Sequence, residues 1–212
     1  MLLIFKAITD IPNLMYRKDR QNEFYTILAK KDGYPARSVY KLQEIDEKYK
    51  IIKKNSRVLD LGCAPGSWIL YISQKVGNRG KVIGVDIEEI KIPKKSNITF
   101  IKKSVFDLKE SDFKDKFEAI VSDLSPKTSG VKFLDSGKSL KLAEKSFEIV
   151  RLFLLPGGNF VCKIFENESS EEFFKKIKNH FDFAKRFKPK AVIRKSKEFY
   201  IIGKGFRNPK NS

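Results

Sequence analysis

Short apolar runs alternate with longer amphipathic stretches along most of the chain. Arg57-Val58-Leu59-Asp60-Leu61, closed by Gly62, predicts a buried strand. From Gly66 to Val76 the residues Trp68, Ile69, Ile72 and Val76 recur at helical spacing, and Gly77 and Gly80 end that helix. Further strands are predicted over Lys81–Asp86, Ile98–Ile101, Ala119–Ser122 and Asn159–Ile164. A long amphipathic helix from Leu140 to Leu155, closed by Pro156-Gly157-Gly158, separates the last two. Ser169 followed by Glu172 reads as a capping box for a helix over Ser170–His180. Phe183–Phe187 and Tyr200–Gly203 finish as strands, close enough in sequence to pair antiparallel at one edge.

Strands that are almost continuously apolar and alternate with helices predict an α/β fold. Its sheet is seven-stranded, mostly parallel and covered by helices on both faces. Residues 1–50 read mostly helical. The expected organisation is an extension of unassigned role over 1–22, one domain over 23–206 and a tail over 207–212.

Composition narrows the function. At 212 residues, 41% hydrophobic and with 18 phenylalanines, the chain can bury a proper core. Its 44 basic and 26 acidic side chains leave a net charge of +18. That surplus is spread along the chain and is densest from Lys185 to Lys197, where no acid occurs. It points to a polyanionic partner, nucleic acid first. No apolar run approaches the roughly 18 residues of a membrane span. The apolar start Met1–Phe5 is broken by Lys6 and Asp10, too early for a signal core. Two distant cysteines, Cys63 and Cys162, and the single His180 supply no disulfide framework, zinc cluster or Ser-His-Asp triad. A cytoplasmic monomer without a metal is expected.

Ligands of an open α/β sheet bind beyond the carboxyl ends of its strands. The first such end reads Asp60-Leu61-Gly62-Cys63-Ala64-Pro65-Gly66-Ser67-Trp68. Gly62 and Gly66 permit a tight turn, but Ala64 breaks the pyrophosphate-binding pattern of three glycines. Asp86 ends the next strand, where a carboxylate can accept hydrogen bonds from both ribose hydroxyls of a nucleoside. An adenosine cofactor without a diphosphate fits, with S-adenosylmethionine the obvious candidate. Ser136-Gly137-Lys138-Ser139 mimics the end of a P-loop, but Lys132 stands where the first glycine is required.

Four charged residues sit awkwardly in their surroundings: Lys163 inside Phe160–Phe165, Asp123 after Ala119–Ser122, Glu198 before Phe199–Ile202, and Lys41 on the N-terminal helical stretch. Singly, each reads as an ion-pair partner or a strand-end charge. Together they are expected to converge above one sheet edge. In this respect the chain resembles the FtsJ/RrmJ (RlmE) family of RNA 2′-O-ribose methyltransferases. The resemblance rests on Arg37–Leu42, Ser122–Pro126, Val161–Phe165, Lys197–Tyr200 and the turn Asp60–Trp68, and it covers about 23–206.

It implies a Rossmann-like methyltransferase fold and a catalytic set of Lys41, Asp123, Lys163 and Glu198. The cofactor site it implies draws on Gly62, Ala64, Pro65, Gly66, Ser67, Trp68, Asp86, Ser104, Asp107 and Asp123. Ser104 stands where the family usually has an acid contacting adenine, and Asp107 is the substitute. Lys163 is the expected central group, either as proton acceptor or as a charge that orients the ribose hydroxyl. The substrate implied is a uridine in large-subunit, 23S-type ribosomal RNA. A tRNA substrate and a non-catalytic, RNA-binding ribosome-assembly protein are the alternatives; an NAD-linked oxidoreductase is disfavoured by the missing third glycine.

Overall fold

A computed structural model describes residues 17–126, 132–193 and 196–207. Most of the 1–22 extension, the tail beyond Arg207, and Arg194 and Lys195 of the basic stretch lie outside the described residues. The elements are α1 (Arg17–Lys31), α2 (Val39–Tyr49), β1 (Arg57–Leu61), α3 (Ser67–Val76), β2 (Lys81–Asp86), β3 (Ile98–Lys102), β4 (Phe117–Ser122), α4 (Lys132–Phe153), β5 (Leu154–Phe165), α5 (Ser170–Lys178), β6 (Phe181–Phe187) and β7 (Glu198–Phe206). Two short 3₁₀ turns, Val105–Asp107 and Glu110–Asp112, link β3 to β4.

All seven strands form one sheet in the order β3-β2-β1-β4-β5-β7-β6. Strands β1 to β5 run parallel, and β7 is antiparallel to both of its neighbours. The expected antiparallel pair is present, with β6 on the edge and β7 slotted against β5. Two cores sandwich the sheet. Phe147 and Val150 of α4 and Phe173 and Ile177 of α5 pack on Leu59, Leu61 and Ile120 on one face. Leu42 and Ile45 of α2 and Ile69 and Ile72 of α3 pack on Val58, Val121 and Val161 on the other. Strands buried on both faces explain their near-continuous apolar sequences.

Three local expectations need correction. The long helix starts at Lys132, so the P-loop mimic Ser136–Ser139 lies within it, with Ser139 buried. It ends at Phe153, because Leu154 already pairs with Phe117. Pro156-Gly157-Gly158 is therefore an excursion inside β5 before pairing resumes at Asn159 opposite Ala119. Ser169 caps α5 with no side-chain bond; the preceding Asn167 carbonyl accepts from the Ser170 hydroxyl and its side chain from the Ser169 N–H.

A buried carboxylate ties the helical N-terminal part to α3. Asp46 on α2 accepts the Ile52 N–H at 2.8 Å and the Tyr71 hydroxyl at 2.9 Å. Nearby, the Trp68 indole N–H donates to the Ser38 carbonyl at 2.9 Å and the Ala36 N–H to the Ser67 hydroxyl at 2.7 Å. These bonds fix the start of α2 against the start of α3, and with it the base of Lys41.

Candidate active site

The carboxyl ends of β1, β2 and β4 are bound into one rim. Gly62 leaves β1 with φ +78°, and a Cβ there would press on the Leu124 backbone at 3.0 Å. Gly66 sits at φ +121°, where a Cβ would collide with Ile92. Only glycine tolerates both the torsion and the close approach. The turn is pinned by Gly62 N–H to Val85 O at 2.9 Å and by Asp123 N–H to Leu61 O at 3.1 Å. Asp86 accepts the Ala64 N–H through Oδ2 and the Glu88 N–H through Oδ1, each at 2.9 Å.

Above this rim lies a cavity of about 440 Å³, within the range of small-ligand sites. Of the ten cofactor residues expected from sequence, Gly62, Ala64, Asp86, Ser104 and Asp123 line it. Pro65, Gly66, Ser67, Trp68 and Asp107 do not. Gly66 shapes the turn, Ser67 and Trp68 are buried against residues 36–38, and Asp107 is exposed in its 3₁₀ turn. Exposed Phe106, with Leu142 and Ile87, adds apolar wall that the sequence reading did not include.

The four charged residues do come together. Lys163 Nζ donates to the Asp123 carbonyl at 2.6 Å and lies 3.1 Å from its Oδ1, and Lys163 is only 6% exposed. Lys41 Nζ meets Glu198 Oε1 at 2.6 Å. Between the two pairs stands Tyr200, fully buried, its hydroxyl 2.8 Å from Asp123 Oδ1 and 2.9 Å from Glu198 Oε1. Strand alternation builds the chain of contacts. Lys163 on β5 is registered opposite Tyr200 on β7, and Glu198 precedes Tyr200 by two residues on the same face. Tyr200 escaped the sequence reading because a tyrosine in Phe199–Ile202 looks like core; its two-residue offset from Glu198 was the available signal.

The electrostatics follow from burial and neighbours. Burial pushes the Asp123 carboxyl up, but Lys163, Lys41 and the Tyr200 hydroxyl outweigh it and hold it below the usual carboxylate range. Burial, then Asp123 and Glu198, drive the Tyr200 phenol well up, so it stays a donor. Burial raises both thiols, Cys162 to about 12, so neither is available as a thiolate nucleophile. Among the described residues no cluster has the makings of a metal site, and no helix is long and apolar enough to cross a membrane.

Asp60 is the second residue the sequence reading passed over. It is fully buried on β1, and neither carboxylate oxygen has a hydrogen-bond partner. Burial, then Asp123 and Asp86, raise it well above the usual range. A raised carboxyl favours the folded state most below its unfolded value of about 3.9, and that support is lost as pH rises toward the folded value. Asp60→Asn should therefore leave the melting temperature at pH 7 unchanged or higher. It should also leave the affinity for a cationic ligand within about twofold, because a neutral amide replaces a carboxyl held neutral by burial. Thermal melts and calorimetry read the two effects separately, and a fall in both would show that Asp60 acts as a buried anion.

A doubly wound sheet whose β1 turn and β2 acid frame a nucleoside-sized cavity, with a lysine–carboxylate set on its flank, is the architecture of a methyltransferase. The family model described as FtsJ-like methyltransferase matches residues 34–206, and the chain belongs to that family. It is 43% identical over 190 residues to the ribosomal RNA large subunit methyltransferase E of Desulfatibacillum aliphaticivorans, covering 88% of this chain and 91% of that one. The protein of the same name from Lawsonia intracellularis is 40% identical, over 87% and 95% of the two chains. Among solved structures, a ribosomal RNA methyltransferase from Plasmodium falciparum superposes with a TM-score of 0.71 at 27% identity, over 82% of this chain and 98% of that one.

Proposed function

We propose that the protein catalyses S-adenosylmethionine-dependent 2′-O-methylation of a uridine ribose in large-subunit, 23S-type ribosomal RNA. It would act as a cytoplasmic monomer with one catalytic domain over 23–206. The observation that carries this reading is Asp123, which lines the cofactor cavity and is ion-paired to Lys163 at 3.1 Å. One residue thus touches both the cavity and the lysine–tyrosine–carboxylate set. The names of the relatives supply the ribosomal RNA.

The cofactor fits its site chemically. Asp86 offers carboxylate oxygens at the end of β2, where a ribose would lie. Asp123, on the same cavity wall, adds negative charge in a chain otherwise strongly basic. A ligand carrying a sulfonium and an ammonium suits these two acids. When bound, S-adenosylmethionine supplies an electrophilic methyl group that needs no further activation. The remaining work is to align a ribose 2′-hydroxyl and take its proton. Lys163 is the group for this: as the ammonium paired to Asp123 it aligns the hydroxyl oxygen, and as the neutral amine, its own proton given up to solvent, it accepts the hydroxyl proton as the methyl is transferred. Two of its contacts go to Asp123, which aims the amine. Tyr200 holds Asp123 in place, while Glu198 fixes Lys41 as a second cation beside the incoming RNA.

Tritiated-methyl transfer to large ribosomal subunits, naked ribosomal RNA and tRNA, followed by nucleoside analysis, tests the reading. Label in 2′-O-methyluridine from the large subunit is expected. Label only in tRNA, or none, overturns the substrate. The basic surface gives a separate test. Exposed Lys188 and Lys190 flank the active-site end of β6, and their reversal to glutamate should weaken RNA binding and flatten its salt dependence, leaving cofactor affinity unchanged. Filter binding across a salt series, with RNA affinity equal to the parent's, would move the footprint elsewhere.

A further inference from the structure

The edge strand β6 carries a feature the catalytic site does not use. Its alternation lays Phe183, Lys185 and Phe187 on one face. That face is turned to α2, because the Tyr49 ring lies 6.1 Å from Phe183 and 5.4 Å from Phe187. Lys48 Nζ hovers 4.6 Å from the Phe187 centroid. Phe183 is 43% exposed, unusual for a phenylalanine on a sheet. It borders a shallow hollow of about 450 Å³ formed with Lys48, Tyr49, Asp182, Lys204 and Gly205. The Asp182 charge is offset by Arg207 at 3.5 Å, so Lys48, Lys185 and Lys204 leave the strip cationic.

The register gives this strip a direction. Phe187 pairs with Tyr200, the hydroxyl that links Asp123 to Glu198, and Phe183 pairs with Lys204. The strip starts on a catalytic rung and runs away from it for four residues, about 13 Å at 3.3 Å per residue.

We propose that this strip is a stacking track for unpaired nucleotides flanking the methylated ribose. A base lies on the exposed ring of Phe183, Phe187 and Tyr49 back it, and phosphates meet Lys48, Lys185 and Lys204. Alternating aromatic and cationic side chains are the arrangement that holds single strands without reading sequence. Positive charge around an exposed ring selects a polyanion over an apolar protein face. The proposal rests on the RNA-substrate reading and adds where the flanking strand goes.

The test is fluorescence anisotropy of the full chain with a labelled single-stranded oligouridylate of about a dozen nucleotides, across a salt series. Phe183→Ala should weaken binding about tenfold, the scale of one stacked base, with the salt slope unchanged. Phe183→Trp should bind as well as the parent, and Phe183→Leu as poorly as alanine. Lys204→Gln should instead reduce the salt slope by about 0.7. Cofactor affinity by calorimetry should be the same in all four and confirms their folding. A parent that binds RNA while Phe183→Ala is unchanged, or while Phe183→Leu matches the parent, overturns the track alone. A parent that binds neither the oligonucleotide nor ribosomal RNA overturns the RNA reading beneath it.

Discussion

Lys163→Ala should abolish methyl transfer, lowering the rate about 100-fold or more, as for loss of a positioned proton-transfer group. The amine is held by the Asp123 carbonyl and carboxylate and has no other partner among the described residues to take over its place. Cofactor affinity should stay within about twofold, because Lys163 is not on the cavity wall. Removing one member of a buried pair is destabilising when the other is stranded. Here Asp123 keeps the Tyr200 hydroxyl and borders an open cavity, so the melting temperature should fall only modestly. Lys163→Met, which preserves the packed stem, should be equally inactive and melt closer to the parent. Lys163→Arg separates charge from proton transfer, since arginine keeps its proton at working pH. An active arginine enzyme would leave electrostatic alignment as the role; an alanine enzyme with full activity would remove the site altogether.

Asp86→Ala should weaken cofactor binding about 10- to 150-fold, the 1.5–3 kcal/mol scale of hydrogen bonds to a charged group. The carboxylate has two tasks. It is placed to accept from a ribose, and it already holds the Ala64 and Glu88 N–H groups at 2.9 Å. Alanine removes both, so the turn above Gly62 loses an anchor along with the ribose contact. Asp86→Asn keeps one acceptor oxygen and should fall between. Calorimetry reads the affinities directly, and equal affinity in Asp86→Ala would displace the nucleoside from this end of the sheet.

The architecture was open to reading because the chain states it locally. The runs Arg57–Leu61 and Lys81–Asp86 are apolar, short and closed by a glycine or an acid, and both strands have those bounds in the structure. What was misread depends on distant partners. Nothing near Leu154 tells the helix to stop there; its pairing with Phe117 does. Glu198 was expected ahead of β7 and is instead its first residue, because it pairs with Phe165. In the site, a charge inside an apolar strand marked Lys163, and charges at the ends of apolar strands marked Asp123 and Glu198. Proximity in sequence to the Gly62 turn did not mean proximity to its cavity. A helix begins at Ser67, and its rotation turns Ser67 and Trp68 toward residues 36–38. Tyr200 was hidden as an aromatic among aromatics, whereas Asp60 carries the same signal as Lys163, a charge between apolar strand residues, and was read only as part of β1.

The strand order β5-β7-β6 divides the site into two units of different cooperativity. Lys163 and Asp123 stand on β5 and at the end of β4, and the cavity beside them is framed by the parallel part of the sheet. Glu198 and Tyr200 belong to the terminal β6–β7 hairpin, which is joined to that part of the sheet through the β5–β7 ladder. If the hairpin detached, as small cooperative units of folded proteins do, two of the five groups would leave and the cofactor cavity would remain. Lys41 would lose its carboxylate and Asp123 its phenol in the same event. Substrate binding along β6 would hold the hairpin down. Methyl transfer would then require the last two strands to be docked, while the frame of the cofactor cavity would not depend on them.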